Sequence, residues 1–413
     1  MIWRRLYTLT WWLVLPLAFF YLWRRGGKQA DYRRNWGERL GYYPARSPRP
    51  LIWLHAVSVG ETRAAVGLVR ALRLRHPDHG ILLTQMTPTG RDTARQLFGD
   101  EIEVAYLPYD LPGAVDRFLR HFRPTFGVLL EMELWPNLIH GAAQQGVPLF
   151  LINARLSAKS LRGYRKVARL LRPALAKLAG VAAQSADDAE RLAELGVAAP
   201  QVMGNLKFDF TPDPTQLAQG KVWRERFGDR PVWLAASTRE GEEALLLAKP
   251  LPADGLLILV PRHPQRFDEV ANLLAQHQLA YVRRSQWDGE RPLPPGTQVL
   301  LGDSMGEMAA WFAAADVAFV GGSLLDFGCH SVIEPCAQGV PVLVGPSSYN
   351  FAEAVSEAVS VGAARQLADV ATLMTTLTAL LADPAERDRM GEAGRAFVAA
   401  HRGALARAQE MLP

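Results

Sequence analysis

The stretch ADVAFVGGSLLDFGCHSVIEPCAQGVPVLVGP, residues 315–346, decides the fold. An apolar run, VAFVGG (317–322), ends in two glycines and Ser323. A loop follows, a helix is expected to begin near Ser331, and a second apolar run, PVLVGP (341–346), comes after it. Strand, loop, helix and strand within about 30 residues make a βαβ unit. Apolar runs without alternation belong to strands covered on both faces, and so to a parallel sheet wrapped by helices. The glycines Gly321 and Gly322 let a backbone approach a ligand, and the free N–H groups at a helix start favour phosphate. Glu334, one turn into the expected helix, is placed to accept bonds from ribose hydroxyls. Plain α/β packing explains the glycines but not the Glu334-Pro335 step. Neither GxGxxG nor a Walker loop is present, so dinucleotide or ATP binding lacks its fingerprint.

The same alternation extends in both directions. Upstream of residue 210 the runs LIWLHAV (51–57), GILLTQM (80–86), FGVLLEM (126–132), PLFLINA (148–154) and GVAAQS (180–185) read as strands. Helical patterns at 63–75, 136–145 and 186–195 lie between them. A Pro/Gln/Gly-containing stretch, 211–220, reads as a linker, and VWLAAS (232–237), GLLILVP (255–261) and TQVLLG (297–302) then resume the pattern. Two doubly wound domains joined near residue 210 follow, at 26–210 and 211–413, with the last helix able to pack back on the first domain. Ligands of open parallel sheets bind beyond the carboxyl ends of the strands, so two facing domains imply an interdomain cleft.

At 413 residues the chain exceeds what one core supports, and its 49% hydrophobic and 21% charged composition excludes disorder. Two cysteines, Cys329 and Cys336, give neither a disulfide framework nor a zinc pattern. The net charge of +5 suggests an anionic partner, and no helix-turn-helix, zinc-finger or RNP signature supports nucleic acid.

Residues 1–25 read as a membrane anchor. From Leu6 to Trp23 no residue is charged, and 18 residues of helix reach about 27 Å against a hydrocarbon core of about 30 Å. Trp11, Trp12, Tyr21 and Trp23 suit headgroup depth, and Pro16 is expected to kink the helix. Between Arg24 and Arg39 six basic residues face two acidic ones, which keeps the following domains on the cytoplasmic side.

Five further stretches carry candidate chemistry. Glu61 in HAVSVGE follows a strand at a helix start, where the helix dipole is expected to hold its pKa down. It reads either as a general base or as an acid complementing the helix N-terminus. In LLEMELWPNL (129–138), Glu131 and Glu133 are expected on one face of a strand end. Lys207 in GNLKFD can offset charge on a leaving phosphate. Arg262 in VPRHPQR offers a planar fork suited to phosphate, beside Pro261 and His263. GDSMGEM (302–308) ends another strand, with Gly306 and Glu307 opening the next helix. The chain has no D-x-D triplet, which suits a monophosphate-activated donor.

Ten ordered segments, among them HAVSVGE, TQMTPTGRDTA, LEMELWPNLI, INARLS, GNLKFD, PRHPQR, GDSMGEM and IEPCAQGVPVLVGP, resemble the Kdo transferases of Gram-negative bacteria over nearly the whole chain. The resemblance implies a GT-B type α/β fold, two Rossmann-like domains with the acceptor on the first and CMP-Kdo on the second. It implies an inner-membrane enzyme on the cytoplasmic face that moves Kdo from CMP-Kdo to a lipid A precursor, with no cofactor and no metal. Glu61 then matches the general base, and Glu131 and Lys207 match transition-state stabilisers. Pro261, Arg262, Gly306, Glu307, Met308, Ser331, Val332, Ile333 and Glu334 match residues lining CMP, with Gly322, Ser323 and His330 as further candidates. Many relatives read G-G-H-N where this chain has Gly328-Cys329-His330-Ser331, a departure that leaves Ser331 as the helix cap. The rival readings are a UDP-sugar epimerase of the same fold and a non-catalytic membrane protein.

Overall fold

The computed structural model describes residues 2–27, 29–44 and 49–413, so Lys28, one of the cations counted beside the anchor, lies outside the described residues. The chain forms two compact units, residues 1–209 with 402–413, and residues 210–401.

The first unit is built on the strands β1 (Leu51–His55), β2 (Gly80–Gln85), β3 (Glu103–Tyr106), β4 (Pro124–Leu130), β5 (Leu149–Ala154), β6 (Gly180–Ala183) and β7 (Gln201–Val202). They pair in parallel in the order β3-β2-β1-β4-β5-β6-β7. All five residues of β1 are buried. Trp53 packs on one side with Phe118, Leu129 and Leu151, while Ile52 and Leu54 pack on the other with Leu68, Leu83 and Val128. Successive side chains on opposite faces, each face covered by helices, account for the unbroken apolar run. The C-terminal helix Ala404–Met411 belongs to this unit, where Gly403 N–H donates to Asp209 Oδ1 at 2.7 Å.

The second unit repeats the plan with β8 (Val232–Thr238), β9 (Leu256–Pro261), β10 (Tyr281–Arg283), β11 (Val299–Leu301), β12 (Val317–Val320), β13 (Val342–Val344) and β14 (Ala364–Gln366). Its order is β10-β11-β9-β8-β12-β13-β14, again parallel. In both sheets the first strand is central, and the order reverses beside it: between β1 and β4, and between β8 and β12. Those are the places where doubly wound sheets bind ligands.

The stretch 211–220 is not a linker. Pro214–Arg226 is a helix started by Pro214 and capped by Asp213, whose carboxylate accepts the Thr215 N–H at 2.9 Å. The short edge strands β3, β7, β10 and β14 carry polar residues and have no apolar run to announce them.

The segment expected as an anchor forms the helix α1 (Ile2–Arg25), long and apolar enough to cross a membrane and continuous through Pro16. One side of α1 docks on the first unit. Trp11 stacks on Tyr109 with ring centroids 5.4 Å apart and meets Trp135 at 6.3 Å. Thr8 Oγ1 accepts the Asn137 amide at 3.0 Å. The other side, with Leu9, Trp12, Leu13, Leu17 and Phe20, is exposed.

Candidate active site

At the end of β1 the backbone leaves the sheet through Ser58, the N-cap of the helix α2 (Val59–Ala64). Ser58 Oγ accepts the Glu61 N–H at 3.2 Å and donates to Glu61 Oε1 at 2.8 Å. The Val57 N–H donates to Glu61 Oε2 at 2.7 Å. This is a variant of the capping box in which the reciprocal backbone bond comes from Val57, one residue before the cap, and it fixes the carboxylate over the end of β1. The expected depression of the Glu61 pKa does not occur. Burial pushes it up, and the Glu131 charge adds to that, while the Val57 and Ser58 bonds and Lys207 pull the other way. With 8% of Glu61 accessible, loss of hydration outweighs the helix terminus.

Glu131 and Glu133 do not share a strand face. β4 stops at Leu130, and Glu131 turns the chain with φ +58°. A non-glycine residue held in the left-handed region is strained by roughly 1 kcal/mol or more, and such residues gather at functional sites. Glu131 Oε1 lies 3.4 Å from Lys207 Nζ. Lys207 is held there by Asn205, whose Oδ1 accepts its N–H at 3.0 Å, and by Asn153 (φ +60°), whose Oδ1 accepts the Leu206 N–H at 3.0 Å.

Beneath these groups lies His55, fully buried. Its Nδ1 meets the Thr84 carbonyl at 3.1 Å, and a carbonyl only accepts, so Nδ1 carries the proton. Burial lowers the His55 pKa to about 4, and the ring is neutral. Its Nε2 has no hydrogen-bond partner and faces Glu133 Oε2 at 3.9 Å. Glu133 accepts the Trp135 indole N–H at 2.8 Å. Burial, then the Glu61 charge, raises Glu133 to about 7, although the Trp135 bond opposes this.

In the second unit the candidates collect at the carboxyl ends of β9, β11 and β12. Pro261 closes β9, and the Arg262 N–H donates to the Thr238 carbonyl at 2.9 Å. Glu307 binds Arg284 at 2.8 Å and also takes the Ser304 hydroxyl, so its side chain is committed within the loop. Gly306 takes φ +84°, which lets that loop turn before the helix beginning at Met308. Ser331 caps no helix. The helix begins at Ile333 with Val332 as its N-cap and no side-chain cap bond, and Glu334 is its second residue. The Gly322-Ser323-Leu324 turn hangs on one carboxylate: Glu242 Oε2 accepts the N–H of Gly322 at 2.7 Å, and its Oε1 accepts those of Ser323 and Leu324 at 3.0 and 2.9 Å. The Arg239 N–H adds a fourth bond at 2.8 Å.

Comparison with known proteins decides the family. A profile described as 3-Deoxy-D-manno-octulosonic-acid transferase (kdotransferase) matches residues 34–210, and one described as Glycosyl transferases group 1 matches residues 266–397. A 3-deoxy-D-manno-octulosonic acid transferase of Bordetella pertussis is 45% identical over 99% of this chain and 98% of its own length. The chain belongs to the Kdo transferases. It is a glycosyltransferase that transfers Kdo in lipopolysaccharide synthesis. The transferase of Haemophilus influenzae is 38% identical over 99% of this chain and 98% of its own. A UDP-GlcNAc 2-epimerase from Neisseria meningitidis superposes with a TM-score of 0.57 at 15% identity, covering 88% of this chain and 99% of the epimerase. At that identity the likeness shows the fold alone, the GT-B arrangement of two parallel-sheet domains.

In the transferase, Glu61, Glu131 and Lys207 come together from three separate stretches. Sequence reasoning missed His55, Arg239 and Glu242. The Ser58-x-x-Glu61 spacing is a legible capping-box signal. Nothing local marks His55 or Glu242, whose partners lie on other strands and loops. Among the described residues no group of three or more His, Cys, Asp or Glu side chains is placed to hold a metal ion.

Proposed function

We propose that this transferase moves Kdo from CMP-Kdo to a hydroxyl of a lipid A precursor by a single displacement that inverts the anomeric carbon. Glu61 takes the proton of the acceptor hydroxyl as that oxygen bonds to the anomeric carbon. The bond from that carbon to the phosphate oxygen breaks, and CMP leaves with the electron pair. Each Glu61 oxygen accepts one bond from the protein and keeps a lone pair for the hydroxyl. A pKa raised by burial makes it a better base near neutrality than an ordinary glutamate. Lys207 and Glu131 act on the charge that develops during transfer. CMP is held by Pro261, Arg262, Gly306, Glu307, Met308, Ser331, Val332, Ile333 and Glu334, with Gly322, Ser323 and His330 nearby, and no metal is required.

The exposed apolar side of α1 supports attachment to an anionic inner-membrane surface on the cytoplasmic face, where a lipid acceptor resides. The observation that carries the reading is the joining of Glu61, Glu131 and Lys207 beside the β1/β4 switch point of a Kdo transferase. The test is incubation with CMP-Kdo and a tetraacylated lipid A precursor, with products counted by mass. Wild type adds Kdo, and purified Glu61→Gln binds CMP but does not transfer. Near-normal turnover by Glu61→Gln removes the base assignment.

A further inference from the structure

The carboxyl ends of β8 and β9 and the loop after β12 bring Arg239, Arg262, His263 and His330 together. Gly322 shows how closely: a Cβ there would stand 3.3 Å from the His330 ring and 3.5 Å from Arg239 Cγ. The Arg239 guanidinium carbon lies 4.5 Å from the centre of the Phe327 ring, and its Nε is buried without a hydrogen-bond partner. His330 Nε2 is buried and unpartnered as well. Burial, followed by the charges of Arg262 and Arg239, lowers His330 to about 4, so its ring is neutral.

The neighbouring acids are already used. Glu243 takes Arg266 through two bonds of 2.8 and 3.0 Å and the Thr238 hydroxyl at 2.6 Å. Glu242 is consumed by four backbone N–H groups. Among the described residues Arg239 forms no ion pair. A buried donor without an acceptor, set among like charges, is costly, and an anion placed against it removes that cost.

An ulosonic acid activated as its nucleoside monophosphate carries two anions on one carbon, because carboxylate and phosphate are both substituents of the anomeric centre. Binding both requires two cationic sites side by side. Thr238 and Pro261 are paired in register as the last residues of adjacent parallel strands, so Arg239 and Arg262 are the first residues beyond the two strand ends. We propose that Arg239, with the His330 ring beside it, binds the carboxylate of the donor sugar and leaves Arg262 to the phosphate. This rests on the CMP-Kdo reading above. The planar fork of arginine matches a carboxylate through two parallel bonds, which lysine cannot reproduce.

The test compares full-length wild type, Arg239→Gln and Arg239→Lys for CMP affinity by calorimetry and for KM of CMP-Kdo. The expected result for Arg239→Gln is CMP affinity within about twofold of wild type and a KM for CMP-Kdo raised about tenfold or more, the loss of a charge-assisted bond. Arg239→Lys is expected to fall between. Equal weakening of CMP and CMP-Kdo would assign Arg239 to the phosphate and overturn the proposal, as would an unchanged KM. Should Arg239→Gln not fold, Arg239→Lys carries the same comparison. A wild type that does not turn over CMP-Kdo sinks the donor reading itself, and it reports that without any variant.

Discussion

Lys207 Nζ stands 3.4 Å from Glu131 Oε1, and the two residues act on Glu61 in opposite senses: the glutamate charge raises its pKa and the lysine charge lowers it. On the proposed base assignment, the pair therefore adjusts in opposite directions the pH at which Glu61 ionises, which burial raises most. A base must be deprotonated to work, so activity falls as pH drops through the Glu61 pKa. Lys207→Met is expected to move the acid limb of the kcat/KM profile to higher pH and Glu131→Gln to lower pH. Each is also expected to cut kcat by roughly 100-fold through lost transition-state stabilisation. Limbs that move together, or not at all, would refute the coupling.

Ser58 has two tasks, capping α2 and donating to Glu61. Ser58→Ala is expected to cost about 1 kcal/mol of stability through the lost cap. Because the Ser58 bond lowers the Glu61 pKa, its loss is also expected to move the acid limb upward. Thermal melting and the pH–rate profile read the two effects separately.

Glu133 offers a stability test with a definite sign. Its pKa is raised from 4.5 to about 7 in the folded chain, chiefly by burial. The folded state then holds more protons than the unfolded state between those values, so the stabilising contribution present below 4.5 is lost as pH rises to 7. Glu133→Gln removes this group, and the fall in Tm across that window is expected to shrink. An unchanged pH dependence of Tm would show that Glu133 ionises as it does in the unfolded chain.

Glu242 is fully buried and holds the 322–324 turn. Glu242→Gln replaces one acceptor oxygen by a donor facing N–H groups. The expected cost is about 2–3 kcal/mol, with weaker CMP binding because the turn loses its anchor. Denaturant unfolding and calorimetry check both parts.

The amino-acid sequence by itself determined the two parallel α/β halves, the join near residue 210 and the apolar N-terminal helix, and it supplied the candidate site residues on which the proposed function draws. Apolar runs such as residues 51–57 and 255–261 are set by burial on both faces, and burial is written into local composition. Short polar edge strands such as Gln201–Val202 have no such signature, and the helix Pro214–Arg226 was hidden by Pro212 and Pro214 at its start and Gly220 within it. Only the tertiary structure decided the electrostatics. Glu61 looked like a carboxylate kept acidic by a helix end, whereas burial beside Glu131 raises its pKa. Glu131 looked like a strand residue, whereas its left-handed turn aims it at Lys207, 76 residues away. Local periodicity records which residues are buried, but a pKa depends on what surrounds a group in space. Those neighbours come from turns and loops far apart in the chain.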